Sequence, residues 1–415
     1  MIEIKEKKDC CGCGACVQRC PKQCISMHED AEGFLYPHID AELCIDCGLC
    51  EKICPVINQN EPHEPMHVYA AKNPDEKIRL ESSSGGVFTM IAEKIIDEGG
   101  VVFGVGFNEH WEAAHSYTET KEGLSAFRMS KYVQSIVGNT FREAETFLKQ
   151  GRKVLYTGTP CQISGLKKFL RKDYDNLLTV DFICHGTPSP GIFRWYLREV
   201  LYSIVNKKTF SLNLDLFRSN ELQEIPKIDF LLKECNYQIQ NISFRDKSYG
   251  WKKFSFVLEF IDLVSKNKVI IKESLDQNPF LQGFLRDMYL RPSCHNCPTK
   301  KLKSGSDITI GDYWNIELIN PNLNDNKGIS AIIVNTIKGN EYFKLNKCIK
   351  YDSELQDILK YNSALNSSSK HTSFRDNFYT NYKRLGIEVI AFLIRKNRPC
   401  IVKRICMKIK QTIKK

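Results

Sequence analysis

Two copies of the pattern C-x2-C-x2-C-x3-C-P stand within the first 55 residues. The first is Cys10, Cys13, Cys16 and Cys20 before Pro21; the second is Cys44, Cys47, Cys50 and Cys54 before Pro55. The spacing suits a cubane [4Fe–4S] cluster: three thiolates on a tight loop hold three irons, and the fourth cysteine turns away to the other cluster. The expected sharing is therefore Cys10, Cys13, Cys16 and Cys54 on one cluster, with Cys20, Cys44, Cys47 and Cys50 on the other. Gly12, Gly14 and Gly48 let the backbone turn closely around the sulfurs, where its N–H groups can bond them. Two zinc knuckles are the alternative for paired C-x2-C motifs, but zinc sites rarely carry a third cysteine at x2 and a fourth at x3 before proline. Cys11 and Cys24 stand off the grid and read as small buried thiols.

Eighteen cysteines in 415 residues is a high count, and ten of them precede residue 55. The start, "MIEIKEKKDC", is charged, and the longest late apolar run, "GIEVIAFLI", is too short to span a bilayer. The expectation is a cytoplasmic chain, whose clustered thiols stay reduced and point to metal or redox chemistry rather than to disulfides. The formal net charge of +10 is concentrated at the end: from Arg395 the chain carries nine Lys or Arg and no acid. A nucleic-acid binder with a basic surface throughout is not indicated. Ile401, Val402, Ile405, Ile409 and Ile413 punctuate that tail near helical spacing. It reads either as a solvated basic tail or as a weak peripheral contact with an anionic membrane surface.

"NQNEPHEPMH", residues 58–67, is polar with two prolines and reads as a linker. Beyond it, helix and strand patterns alternate. "GVFTMIAEKII" has one apolar face, with Ser82–Ser84 offered as N-caps. "VVFGVGF", "KVLYTG" and "NLLTVDF" read as buried strands, with helices at "CQISGLKKFLRK" and "SPGIFRWYLREVL". This predicts an α/β domain with a largely parallel sheet after an α+β ferredoxin-like module, ending in a short basic helical tail. Residues 228–275 look antiparallel, as an extension of the sheet or an insert. The expected division is 1–57, 58–67, 68–340 and 341–415.

In such sheets ligands sit at the carboxyl ends of strands, beside helix N-termini. "SSSGG" and "TGTPCQ" offer hydroxyls and open N–H groups there, for a phosphate or simply as helix caps. No G-x-x-x-x-G-K-[ST] occurs, and "GVGFNE" fails the G-x-G-x-x-G test. Cys161 and Cys184 each follow a strand end, and Cys294 and Cys297 form "CHNC". Four thiolates would complete a third cluster; by spacing alone, lone cysteines are core residues and C-x2-C could bind zinc. His185 and His295 adjoin these cysteines and read as neighbours rather than ligands.

The head resembles bacterial two-cluster ferredoxins over about residues 9–57. The motifs "SSSGGVF", "SKYVQS", "GTPCQISGLKKFL", "VDFICHGTPSP", "SFRDKSYGW", "RPSCHNCP" and "SDITIGDYW" run in order over residues 67–335. Together they resemble the beta subunits of coenzyme F-420 hydrogenases and dehydrogenases, in the bacterial branch with a fused N-terminal ferredoxin domain. "GDYWN" carries Asn315 where many relatives have glycine. The resemblance implies an iron–sulfur flavoprotein oxidoreductase that binds FAD, with a third [4Fe–4S] cluster held by Cys161, Cys184, Cys294 and Cys297. It implies a ferredoxin-like or other redox protein as donor. The acceptor would be a small hydride acceptor, the deazaflavin coenzyme or another organic substrate. Flavin or phosphate contacts would fall on Ser83, Ser84, Gly85 and Gly86, on Lys131 and Tyr132, and on Thr157, Gly158 and Thr159 in the same cleft. Lys131 would place positive charge near the flavin N1 edge. The other reading is a non-catalytic electron-transfer subunit, with polysaccharide biosynthesis as one setting for its partner enzyme.

Overall fold

The computed structural model of the protein describes residues 1–205, 221–344, 347–386 and 388–396. The basic tail from residue 397 lies outside the described residues, and the membrane reading with it. In the head, strands β1 (Ile25–Glu29) and β2 (Leu35–Ile39) form an antiparallel hairpin. The short helices Ala15–Arg19 and Leu49–Lys52 each follow a cysteine loop. Their N-caps, Gly14 (φ 73°) and Gly48 (φ 68°), are left-handed, a conformation that glycine adopts without a Cβ penalty. Residues 59–65 have no regular structure, yet the segment is pinned. Asn60 donates to the Lys303 carbonyl at 3.0 Å and accepts from the Lys168 ammonium at 3.1 Å.

The larger part is built on an eight-stranded sheet. Its strands are β3 (His67–Lys72), β4 (Val101–Phe107), β5 (Ala113–Thr118), β6 (Val154–Gly158), β7 (Leu177–Phe182), β11 (Ile308–Asp312), β12 (Ser330–Val334) and β13 (Ile349–Asp352). The order is β13-β3-β12-β11-β7-β6-β4-β5. Only β4, β6, β7 and β11 run parallel; β5, β12, β3 and β13 pair antiparallel, so the sheet is mixed rather than largely parallel. Connection length explains the difference. Helices Thr140–Lys149 and Pro160–Leu170 supply the crossovers that parallel neighbours need, whereas β4 and β5 are separated only by residues 108–112.

β8 (Tyr237–Asp246), β9 (Ser255–Asp262) and β10 (Lys268–Ser274) form a separate antiparallel sheet, so residues 228–275 are an insert. Its inner face packs with helices Pro190–Val205, Pro279–Phe284 and Ser373–Leu385 in one apolar core. Alternation along the central strands divides the rest. Val101, Phe103, Val154 and Tyr156 face helices Thr140–Lys149 and Pro160–Leu170, while Val102 and Leu155 face helix Val87–Asp97. The serines before that last helix do not cap it. Its N-cap is Gly86 in the left-handed region, and the Ser83 and Ser84 hydroxyls bond Ser130 and the Ile329 carbonyl instead. Asn315 has φ 56°; asparagine tolerates this region better than most residues, so the turn after Trp314 survives without glycine. Among the described residues no helix is long and apolar enough to cross a membrane.

The head is locked to the rest. Cys11, Cys13, Ala15 and Ile53 share a core with helix Pro160–Leu170. The hairpin tip enters a groove where the Gly33 carbonyl accepts from the Gly191 N–H, Ser189 donates to the Glu32 carbonyl and Arg375 grips the Glu32 carboxylate through both terminal nitrogens. A Cβ on Gly33, which has φ 80°, would stand 2.5 Å from the Gly191 Cα. Gly33→Ala is therefore expected to destabilise the protein by about 1–3 kcal/mol through overpacking. It should also make the 58–67 segment more sensitive to protease; thermal unfolding and limited proteolysis check both.

Candidate redox centres and the adjoining cleft

Three cavities in the structure are lined by cysteines. Cys10, Cys13, Cys16 and Cys54 line the first, together with Cys11. Cys20, Cys44, Cys47 and Cys50 line the second, together with Cys24. Each set is the one expected from the crossed sharing of the two motifs. Among the described residues no three His, Cys, Asp or Glu side chains converge on a point as they would for a single ion. The thiols ring a space instead, and four thiolates around a space are the donor set of a [4Fe–4S] cluster. The Gly12 N–H points at Cys10 Sγ from 3.4 Å. Burial, with the neighbouring Cys10 and Cys54, pushes the Cys16 thiol up to about 12. The Cys16 thiol is thus protonated when free, and loading of a cluster must release its proton.

The third cavity lies in the large part of the molecule and gathers Cys161, Cys184, Cys294 and Cys297 from separate segments. Cys161 sits in the first turn of helix Pro160–Leu170, whose start is held by reciprocal Thr159–Gln162 contacts. Cys184 follows β7, and Cys294 and Cys297 flank the end of a 3-10 turn that begins at Pro292. Hydroxyls surround the sulfurs: Thr159 Oγ1 lies 3.2 Å from Cys161 Sγ and Thr299 Oγ1 3.5 Å from Cys297 Sγ, while the Thr187 N–H lies 3.4 Å from Cys294 Sγ. Burial pushes the Cys294 thiol up to about 11 and raises Cys184 well above its ordinary value. Lys300 donates to the Cys184 carbonyl at 2.6 Å and so holds that loop. His185 pairs with Asp287, and His295 Nδ1 lies 3.1 Å from the Ser369 carbonyl.

One side chain that the sequence did not single out joins head and body. Arg291, 1 % exposed, donates to the carbonyls of Cys10 (2.8 Å) and Leu35 (3.0 Å) and to Gln134 Oε1 (2.9 Å). Its Nη2 is also 3.5 Å from Cys10 Sγ. Its cation lies 4.1 Å from the Tyr36 ring centroid. Burial works against the charge, and the surrounding Cys10 and Tyr36 outweigh it. Nothing in "RPSC" distinguishes this arginine from a surface one; only its position in the fold does.

The nine residues expected at a flavin fall into two groups on the carboxyl edge of the sheet. Ser83 is bonded to Ser130, which brings the "SSSGG" loop beside Lys131 and Tyr132. Gly85 is wedged against β3 and β12, where a Cβ would meet the Ala71 carbonyl at 2.5 Å. Lys131 is half-buried; its ammonium donates to the Ala126 and Arg128 carbonyls at 2.7 Å each, and burial lowers its pKa to about 7. Tyr132 stacks on Phe284 at 4.7 Å. Thr157, Gly158 and Thr159 end β6, with β12, β11 and β7 between them and β3, so they adjoin Cys161 rather than Ser83. The two groups are connected by residues 130–136, which cross the edge from Ser83 to Ser135, itself bonded to Gln162 and 3.2 Å from His115.

Between the groups lies a polar cluster missed at the level of single residues. Arg245 from "SFRDKSYGW" pairs with Asp312 from "SDITIGDYW" at 2.5 Å, and Trp251 donates to the same carboxylate at 2.9 Å. Arg245 Nε and Nη2 have no hydrogen-bond partner among the described residues. Lys247 donates to the Ser84 carbonyl at 2.8 Å; burial, aided by Arg245, lowers its pKa to about 7. The intact motifs were the available signal: "SFRDKSYGW" contributes Arg245, Lys247 and Trp251, and "SDITIGDYW" contributes Asp312.

Paired cysteine cavities in a ferredoxin head, docked on an α/β body, define an iron–sulfur electron-transfer protein of the oxidoreductase class. The chain belongs to the family of coenzyme F420 hydrogenase/dehydrogenase beta subunits. The C-terminal model of that family matches residues 151–354, its N-terminal model residues 68–140, and a 4Fe-4S dicluster domain residues 9–58. The F component of the F(420)H(2) dehydrogenase of Methanosarcina mazei is 30% identical over 195 residues, covering 44% of this chain and 55% of that protein. A coenzyme F420-dependent sulfite reductase of Methanocaldococcus jannaschii is 27% identical over 177 residues, 40% of this chain and 26% of that one. A 7Fe ferredoxin of Hydrogenibacillus schlegelii is 39% identical over 64 residues, 15% of this chain and 76% of that one. A chain in a structure of the F420-reducing [NiFe] hydrogenase complex from Methanosarcina barkeri aligns with a TM-score of 0.41 and 14% identity, over 73% of this chain and 91% of that one. The chain spans about half the length of the first curated relatives it matches.

Arg291 sets a measurable property. A fixed cation beside the first cavity favours the more negative, reduced form of a cluster bound there. Arg291→Met is expected to lower that potential, and Arg291→Lys to lower it less. A loss of about 1.4 kcal/mol would shift a one-electron couple by about 59 mV. A redox titration followed by electron paramagnetic resonance (EPR) reads the shift.

Proposed function

We propose that this chain is an iron–sulfur flavoprotein oxidoreductase. It would move electrons between a ferredoxin-like partner and a two-electron, hydride-type acceptor such as a deazaflavin or another organic substrate. The observation that carries this reading is the third cavity: four cysteines from three separate segments face one space whose wall includes Cys11 of the ferredoxin head. Clusters carry single electrons, and an FAD supplies the exchange between one- and two-electron chemistry.

The chain's own residues have definite duties in this scheme. Cys161, Cys184, Cys294 and Cys297 hold the third [4Fe–4S] cluster, and the hydroxyls of Thr159, Thr187 and Thr299 orient their sulfurs. The "SSSGG" loop, Lys131 and Tyr132 bound the flavin cleft, while the segment Thr157–Thr159 adjoins Cys161. The free donors of Arg245 suit the oxygens of such a ligand, since buried donors otherwise remain unsatisfied. Tyr132 packs against Phe244 and Phe284, an aromatic cluster beside that loop.

Anaerobic reconstitution tests the proposal. About twelve irons and one FAD per chain are expected from three cubanes. About eight irons and no flavin defeats the large-domain half. A second expectation concerns Lys131, whose pKa of about 7 lies below that of a free lysine. An anionic ligand raises it again, so the ligand-bound protein holds more protons than the free one near neutrality. FAD affinity should therefore weaken as pH rises through 7, a slope that Lys131→Met abolishes while it lowers the flavin potential; fluorescence titration and potentiometry measure the two effects.

A second reading is a non-catalytic electron-transfer subunit, passing electrons to a partner enzyme. It draws on the M. mazei relative, which is itself one of the subunits of a dehydrogenase. It predicts the same clusters but no turnover by the purified chain with deazaflavin, nicotinamide or sugar-nucleotide acceptors.

A further inference from the structure

Among the described residues, Cys11 alone lines both the first ferredoxin cavity and the third cavity. It is the thiol that the motif grid leaves over. We propose that Cys11 is the bridge by which electrons pass between the first ferredoxin centre and the centre held by Cys161, Cys184, Cys294 and Cys297. The proposal rests on the third-cluster reading given above and assigns the route to it.

Three features carry the assignment. Cys11, 6 % exposed, stands in the wall of both cavities, with Cys13 in one lining and Cys161 in the other, each a ligand candidate of a different centre. Helix Pro160–Leu170 meets both: Cys161 stands in its first turn, and Gly165, one turn later on the same face, accepts Cys13. A Cβ on Gly165 would lie 2.9 Å from Cys13 Cβ and Sγ, so the approach is as close as glycine permits. The Cys11 backbone is also fixed, since Gln134 Nε2 donates to its carbonyl at 3.1 Å and Arg291 holds both Gln134 and Cys10.

The second cavity is placed differently. All its lining residues lie between Met1 and Cys50, and Cys47 is exposed. The order that follows is entry at the second centre, passage to the first, and transfer past Cys11 to the third. The transfer is a single-electron exchange: the first centre is oxidised by one electron and the third reduced by one. No bond forms or breaks, and Cys11 remains a thiol throughout. The electron is supplied by a reduced ferredoxin-type donor or an artificial photoreductant.

The test uses the full-length, anaerobically reconstituted protein, with flash photoreduction and freeze-quench EPR to follow reduction of the third centre after the first. Cys11→Ala, loaded with about twelve irons and with unchanged potentials at both centres, is expected to slow this transfer by about tenfold, the scale on which outer-shell changes act at metal sites. Cys11→Ser, which refills part of the gap, should fall between the two. An unchanged rate in Cys11→Ala overturns the proposal. So does loss of iron in both variants, which makes Cys11 a ligand or a scaffold, or slowing that tracks a shifted potential. Wild-type protein with about eight irons and only ferredoxin signals removes the third-cluster reading itself, a failure distinct from an unaltered rate between intact centres.

Discussion

The buried guanidinium of Arg291 is the constraint on which the arrangement turns. A charge removed from water is expensive unless every donor finds a partner, and arginine can satisfy several acceptors from one rigid fork. Arg291 takes its acceptors from three places: Cys10 in the first cysteine loop, Leu35 at the start of β2, and Gln134 on the segment that crosses the sheet edge. It stands three residues before Cys294, so satisfying its charge also sets the distance between the ferredoxin loop and the third cavity. Head and body thereby become one packed unit, with Cys11 and Cys13 inside a core that includes sheet and helix residues of the body.

The carboxyl edge of the sheet collects the chemistry for topological reasons. β4, β6, β7 and β11 run parallel, so their ends open on one side, and β3 delivers the "SSSGG" loop to that same side because it is antiparallel to β12, itself antiparallel to β11. Residues 130–136 then cross the edge and tie Ser83 at one end to His115 and Gln162 at the other. The inserted sheet contributes Arg245 to Asp312 at the end of β11. Polar groups with free donors are thus enclosed next to a cysteine-lined cavity, where burial moves Lys131 and Lys247 to about 7.

Much of this was legible in the residues, and the exceptions have physical causes. Buried strands such as "VVFGVGF" and "NLLTVDF" were recognisable because apolar runs between turn signals leave little choice. Strand direction was not, because it depends on the length and path of connections rather than on the strands. The serines of "SSSGG" resembled N-caps, but hydroxyls accept whichever partner the fold supplies, and here that partner was Ser130 or the Ile329 carbonyl. Cys11 read as a passenger because a lone thiol carries no spacing information. Arg245 and Asp312 lay inside recognised motifs, yet 67 positions separate them and no local pattern links such a pair.

By itself the sequence determined the ferredoxin head, since the C-x2-C-x2-C-x3-C-P grid fixes how few residues separate the thiols and so which loop they must share. It also determined the alternation of helix and strand, which follows from local periodicity. Only the tertiary structure decided that Cys161, Cys184, Cys294 and Cys297 face one cavity, that Arg291 is buried against Cys10, and that Cys11 stands between two centres. Each of those relations spans more than a hundred residues of chain. Contacts at that range are chosen by which packing buries apolar faces while leaving no charge unpaired, a balance struck by the whole chain at once.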